Sequence, residues 1–225
     1  MIGETYVVVW EGTDASGKTT LINSVEEILR SLNFRVAKYK TPSETQTGRF
    51  AATYGNEDST DPLSRMLLFL TNTIEDSRVM REIIRLERPD YFFIDRYYLC
   101  SIVYGLALIS RKTGIDTKGA VSDMVREIER LGAGRVIEPD VYFIVDVNET
   151  ERLRRAVLKD GHDKKYEVDS ELQAKVRELY RELDEVENRI VWIDNEPEVL
   201  WETSTRLSKL LIERRKSGLS TRIDK

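Results

Sequence analysis

The chain is poor in residues that cross-link, ligate or interrupt structure: one cysteine, Cys100, one histidine, His162, and five prolines in 225 residues. A lone thiol closes no internal disulfide, and one cysteine with one histidine falls short of the four ligands of a structural zinc site. A reducing compartment suits such a chain, so a cytoplasmic location is expected. No run approaches the roughly 18 apolar residues of a membrane span. The amino-terminal MIGETYVVVW lacks the basic region that opens a secretory leader. Neither sign of charge dominates, with 35 Lys and Arg against 40 Asp and Glu and a net charge of -5. That balance offers no basic footprint for a nucleic-acid backbone. Neither a membrane nor a nucleic acid is therefore expected as a partner.

What the chain does have is alternation. Apolar, β-branched and aromatic runs predict strands at Val7 to Trp10, Arg35 to Tyr39, Tyr91 to Ile94, Val141 to Val147 and Ile190 to Ile193. Helical periodicity fills the intervals at Lys18 to Leu32, Ser64 to Leu86, Leu99 to Ser110, Gly119 to Leu131, Thr150 to Leu158, Ser170 to Val186 and Pro197 to Arg214, and a short helix starts near Thr47. Strands alternating with helices argue for the α/β class, a doubly wound five-stranded parallel sheet in one domain. The residues from Lys216 onward lack apolar periodicity and are expected to fray. Ligands of such sheets collect beyond the carboxyl ends of the strands. Chemistry is therefore sought just after Trp10, Tyr39, Ile94, Val147 and Ile193.

The first of these segments is the most informative. Gly12-x-x-x-x-Gly17-Lys18-Thr19 fits the phosphate-loop template at every defined position, between a strand and a helix. Glycines let backbone N–H groups curl around a polyphosphate, and the following helix N-terminus favours an anion. Residues Gly12, Thr13, Asp14, Ala15, Ser16, Gly17, Lys18, Thr19 and Thr20 are then expected to cradle the phosphates of a nucleotide. Lys18 reaches the outer phosphates and the Thr19 hydroxyl serves Mg²⁺. After the third strand comes Asp95-Arg96-Tyr97. There Asp95 can hold a water of the Mg²⁺ shell and Arg96 a second phosphate through paired hydrogen bonds. An ion pair at a strand end is the plain structural alternative.

These residues resemble the thymidylate kinases among the nucleoside monophosphate kinases. Glu11, Gly12, Asp14, Gly17, Lys18 and Thr19 match that family's E-G-x-D-x-x-G-K-S/T. Asp95, Arg96 and Tyr97 match its D-R-Y/H. Pro139-Asp140-Val141 through Asp146-Val147 and on to Arg154 and Arg155 looks like its third block. The resemblance implies a P-loop kinase domain over residues 1–215, with a lid at about 155–167 and a flexible tail at 216–225. Asp14 would approach the deoxyribose 3′-hydroxyl, Phe69 would stack on the base, and Tyr104 would lie on the base's other side. Lys164 and Lys165 of the lid, with Lys159 as a further candidate, would neutralise phosphate charge, Tyr166 would join the substrate side, and Arg154 or Arg155 would lie over adenine. The resemblance also allows a homodimer through the apolar helix from Met66 to Ile84. For Phe69 and Tyr104 core packing is the ordinary alternative, and His162 reads as an exposed lid residue.

Two places depart from the family pattern. Family members usually carry Arg four residues after the stacking Phe, where this chain has Thr73. Asn72 and Arg65 lie on the same helix within a turn of Phe69, and either any of the three takes over the base edge or base selection is looser. The loop after the second strand reads Pro42-Ser43-Glu44-Thr45 and lacks the arginine that some members place on the monophosphate. Glu44 would repel that anion at close range, and Arg49 either folds back toward it or caps the short helix. The resemblance implies transfer of the γ-phosphoryl group of ATP to a pyrimidine deoxynucleoside monophosphate, foremost dTMP. A deoxynucleoside kinase is the enzymatic alternative, and a P-loop switch or ATPase the alternative from another class.

Overall fold

The computed structural model describes residues 5–158, 164–184, 187–196 and 200–223. Along the chain run β1 (Tyr6–Gly12), α1 (Lys18–Ser31), β2 (Val36–Lys40), α2 (Gln46–Tyr54), α3 (Pro62–Glu87), β3 (Tyr91–Asp95), α4 (Tyr98–Thr113) and α5 (Ala120–Leu131). There follow β4 (Val141–Asp146), α6 (Glu149–Leu158), α7 (Lys164–Glu167), α8 (Ser170–Asp184), β5 (Ile190–Asp194) and α9 (Leu200–Ile223). The sheet has the order β2-β3-β1-β4-β5 and every pairing is parallel. Each predicted strand is present within two residues of its expected ends. α9 continues to Ile223, through most of the stretch expected to fray. No proline interrupts that stretch, and extending an existing helix costs far less than nucleating one. The predicted start of this helix, Pro197, lies outside the described residues.

Helices on both faces explain why the strands read as nearly continuous apolar runs. Alternation along β1 divides its side chains between two cores. Val7 and Val9 join the core built with α3, α4, α5 and α8, while Val8 and Trp10 join the core beneath α1 and α9. Trp10 is fully buried, with its ring edge-on to Phe93 at 5.5 Å and to Phe143 at 4.8 Å. The register sets β1 between β3 and β4, pairing Trp10 with Asp95 and Gly12 with Val145. The carboxyl ends of the three central strands thus open on one crevice, where the phosphate loop, Arg96 and Asp146 meet.

The Trp10 indole Nε1 is buried without a hydrogen-bond partner among the described residues. Trp10→Ala should therefore lose roughly 3–5 kcal/mol of stability through its cavity. Trp10→Phe, which keeps the aromatic contacts and removes an unpaired donor, should lose less than half of that. Urea denaturation of the two variants checks the difference.

Candidate active site

The phosphate loop owes its shape to glycine where the backbone leaves no room. Gly12 has φ 126°, and a Cβ there would stand 2.0 Å from the Val145 carbonyl oxygen. Gly17 caps α1 in the left-handed region, with no side-chain cap and no acidic residue in the first turn of the helix. The first amides of α1 are thus uncommitted to a side chain, as an anion site requires. Lys18 is buried and donates to Gly12 O at 3.2 Å, Thr13 O at 2.7 Å and Ser16 Oγ at 3.4 Å. Burial first, then the charge of Arg96, brings its pKa down to about 8 against the pull of Asp14 and Asp95. Behind the loop, Ser16 O accepts from Asn195 Nδ2 at 2.7 Å and from Arg155 Nη1 at 3.0 Å. Thr13 Oγ1 donates to Asp146, whose carboxylate also receives Nε and Nη2 of Arg177.

Opposite the loop, Arg96 has φ 67°, an uncommon conformation for a side-chain-bearing residue and one that clusters at functional sites. Its amide donates to Trp10 O at 3.0 Å, and the turn ends β3 and starts α4. The guanidinium pairs with Asp14, donates to Cys100 Sγ at 2.9 Å and stands 5.6 Å from the Tyr104 ring centroid. Asp14 is clamped from α8 by Gln173, which accepts from its amide at 3.0 Å and donates to its Oδ2 at 3.1 Å. Burial works to raise the Asp14 pKa, but the charges of Arg96 and Lys18 with hydrogen bonds from Tyr104 and Gln173 hold it below the usual carboxylate range.

Strand alternation points Glu11 to the α4 and α8 face. Fully buried, it accepts from Tyr97 N at 2.9 Å, Cys100 N at 3.2 Å and Tyr180 Oη at 3.3 Å. It thereby caps α4, whose own N-cap makes no side-chain bond. Desolvation raises its pKa to about 7, against the lowering pull of Arg96 and of the two amides.

The family model described as thymidylate kinase matches residues 10–203. The chain belongs to the thymidylate kinase family. It is 26% identical over 192 residues to the thymidylate kinase of Thermosipho africanus, covering 83% of this chain and 88% of that protein. With the thymidylate kinase of Prochlorococcus marinus strain NATL2A it shares 27% over 218 residues, covering 91% and 96%. A probable thymidylate kinase of Sulfurisphaera tokodaii is 27% identical over 184 residues, 82% of this chain and 85% of the other.

Within this thymidylate kinase framework the structure gathers Asp14, Lys18, Arg96 and Tyr104 at the crevice, with Asp95 at the end of β3 and Thr19 and Thr20 exposed on the first turn of α1. Asn72 and Thr73 are not brought there. Asn72 is 0% exposed and donates to Asp76 at 3.0 Å within a cluster of Ser43, Thr45 and Thr47. Thr73 is 2% exposed and its hydroxyl returns to Leu70 O at 3.0 Å. Arg49 folds onto the Glu44 carbonyl, and Glu44 itself is exposed. Lys165, expected over the phosphates, instead pairs with Asp58 and donates to Asn56 O at 2.9 Å, because α7 packs toward the loop between α2 and α3. The side chain of Lys164 and all of Lys159 and His162 lie outside the described residues.

Arg154 is exposed and paired with Glu151. Arg155 also braces the loop, and both arginines border, with Gly17, Thr20, Asn195 and Leu200, a pocket of about 250 Å³. Gln173, Asn195 and the capping role of Glu11 escape a reading of the sequence alone. The one available signal was the strand period that aims Glu11 at α4.

Because Glu11 titrates higher in the folded state than its ordinary value of 4.5, its protonated form adds stability that is complete below that value and is lost as pH rises through about 7. Wild type should therefore lose stability relative to Glu11→Gln between pH 4.5 and 7. Urea midpoints across that window measure it, and parallel curves would refute the assignment.

Proposed function

We propose that the protein transfers the γ-phosphoryl group of ATP to dTMP, giving ADP and dTDP. The observation that carries this reading is the Asp14–Arg96 pair, held by Gln173 against a phosphate loop. A loop that served only to bind or hydrolyse a triphosphate has no need of a carboxylate beside its cradle. An acceptor that offers both a sugar hydroxyl and a phosphate has a use for each partner, the hydroxyl for Asp14 and the anion for Arg96.

In this reading the amides of α1 and Lys18 hold the donor phosphates, and the pocket beside Arg155, Asn195 and Leu200 receives the adenine. Arg96 orients the acceptor phosphate for in-line attack. Phosphoryl transfer leaves little covalent work for side chains, so positioning and neutralisation of the equatorial oxygens supply the rate. Among the described residues no group of three or more His, Cys, Asp or Glu side chains stands ready to ligate a metal. That fits Mg²⁺ carried by the nucleotide phosphates, a hard cation that keeps several waters and takes few protein ligands. Thr19 and Asp95, oxygen donors on α1 and at the end of β3, are the residues that would hold it. Bound there, Mg²⁺ neutralises the charge that develops on the transferred group.

Lys18 is the cation of the loop, and its lowered pKa has a consequence for this chemistry: bound phosphate favours the charged ammonium and raises it again. The deoxynucleoside kinase alternative is the weaker reading, since an acceptor without phosphate leaves Arg96 with no anion to orient.

A coupled assay should show ADP release from ATP that depends on added dTMP. Release without any acceptor would turn the reading toward an ATPase or a switch, and absence of turnover with any pyrimidine monophosphate would refute it. Arg96→Ala should lower kcat/KM for dTMP by at least about a hundredfold while the chain stays folded by circular dichroism. A rate near wild type in that variant would remove Arg96 from the mechanism.

A further inference from the structure

Glu11 belongs to the sequence motif of the phosphate loop, but its side chain is turned to the α4 and α8 face and no step of the transfer uses it. A fully buried carboxylate is costly to keep unless its oxygens are met by donors. Oε1 accepts from two amides, Tyr97 N at 2.9 Å and Cys100 N at 3.2 Å, and Oε2 from the Tyr180 hydroxyl at 3.3 Å. The two amides belong to residues that bear on Arg96. Tyr97 follows Arg96, so its amide closes the peptide unit that carries the Arg96 carbonyl. Cys100 is the residue whose Sγ receives Nη1 of Arg96 at 2.9 Å. One oxygen of Glu11 thus holds the backbone beside the arginine and also the residue that supports its guanidinium.

That hold matters because Arg96 belongs to neither β3 nor α4. Its φ of 67° is a conformation that a side-chain-bearing residue keeps only where its surroundings impose it. The other ties to its turn act on the backbone alone, from its amide to Trp10 O at 3.0 Å and from Thr41 Oγ1 to its carbonyl at 3.0 Å. Tyr97 stands at the N-cap of α4 without a side-chain bond to the helix. Without Glu11 the first turn of α4 would carry orphan amides in the interior, and the Cys100 sulfur would lose its fixed place against the guanidinium.

We infer that Glu11 is a positioning residue for the acceptor phosphate, fixing both the backbone and the guanidinium of Arg96 through the Tyr97 and Cys100 amides, although it stands at the head of the donor loop. This role rests on the reading of Arg96 as the group that orients the phosphate of dTMP. What the position requires is reach more than charge, since the donors that meet Glu11 are amides and a phenol. Glutamine keeps an acceptor oxygen at the same reach, and the Tyr180 hydroxyl can turn to accept from its amide. Aspartate keeps the charge but draws the carboxylate back by about 1.5 Å, one carbon–carbon bond.

The test is steady-state kinetics of the full chain with dTMP and ATP varied in turn, for wild type, Glu11→Gln and Glu11→Asp, each also in the Arg96→Ala background. Glu11→Gln should stay within about threefold of wild type in kcat/KM for dTMP. Glu11→Asp should lose at least about tenfold, because a displaced arginine misplaces the acceptor, while its KM for ATP stays within about twofold of wild type. In the Arg96→Ala background the aspartate variant should lower kcat/KM by no more than about twofold further, since its effect runs through the arginine. Equal losses in both backgrounds, a joint rise of both KM values, or a Glu11→Asp as active as Glu11→Gln would leave Glu11 a brace of the fold and overturn the proposal. Should Glu11→Asp not fold, Cys100→Ala keeps the amide and removes the sulfur. That variant should raise the KM for dTMP by about threefold or more only when Arg96 is present, and an unchanged KM would equally overturn the proposal. Calorimetric titration with dTMP gives the same comparison as a ratio of Kd values. A wild type that binds dTMP without phosphorylating it would overturn the functional reading and leave the affinities to decide on Glu11, and one that does not bind dTMP would overturn both.

Discussion

The ion pair between Asp14 and Arg96 joins the two halves of the site, and most of the surrounding polar structure is arranged to make it tolerable. The two charges come from different elements, one from the loop after β1 and the other from the turn after β3. Parallel pairing of those strands sets them side by side. Neither charge is left to the other alone: Gln173 takes Asp14 on both its amide and its carboxylate, and Cys100 and Tyr104 lie against Arg96. Removing one member of such a pair leaves a desolvated charge unpaired, which costs far more than the pair itself is worth. The same crowding presses on Lys18, whose pKa falls because burial and the nearby guanidinium both disfavour a second cation.

Two sets of braces converge on the phosphate loop from opposite sides. From β4 and β5 come Asp146 and Asn195, with Arg155 of α6, all bonding to loop atoms. From α8 comes Gln173, which also donates to Tyr166 O at 3.0 Å and so links the loop to α7. α7 is held further by the fully buried Arg152, which pairs with Glu149 and donates to Glu167 O. On its outer side α7 meets α3 through Arg65 and the α2–α3 loop through Lys165. α7 is therefore tied to Asp14 through one glutamine and to Phe69 through one arginine.

The fold was legible because its information is periodic. Val7 to Trp10 and Val141 to Val147 are apolar runs that only a doubly covered strand explains, and the helices between them carry a continuous stripe. The phosphate loop was legible for a different reason, since Gly12 and Gly17 answer to backbone constraints that no other residue meets. Arg96 was found because a strand end in such a sheet is where ligands gather. The base side was read less well. Asn72 and Thr73 lie at helical spacing from Phe69, but spacing says only which residues share a face and not whether that face is open. Ser43 and Thr45, distant in sequence, together with Asp76 one turn along the same helix, closed over Asn72 and removed it from the crevice. Lys165 was assigned by its charge and its place in the lid, and its partner Asp58 lies more than a hundred residues away in the chain.

The sequence by itself determined the sheet, the cradle and the sign of the charges that surround it, because local periods, glycine sterics and the donor chemistry of Lys and Arg act within a few residues. Tertiary structure alone decided which polar groups face the ligand and which are consumed by one another. A side chain such as Asn72, Gln173 or Arg65 has the same local signature whether its hydrogen bonds are met from across the fold or left for a substrate. Burial makes that difference, since in a low-dielectric crevice each donor must find an acceptor, and the acceptors here come from β4, α7, α8 and the loop after β2.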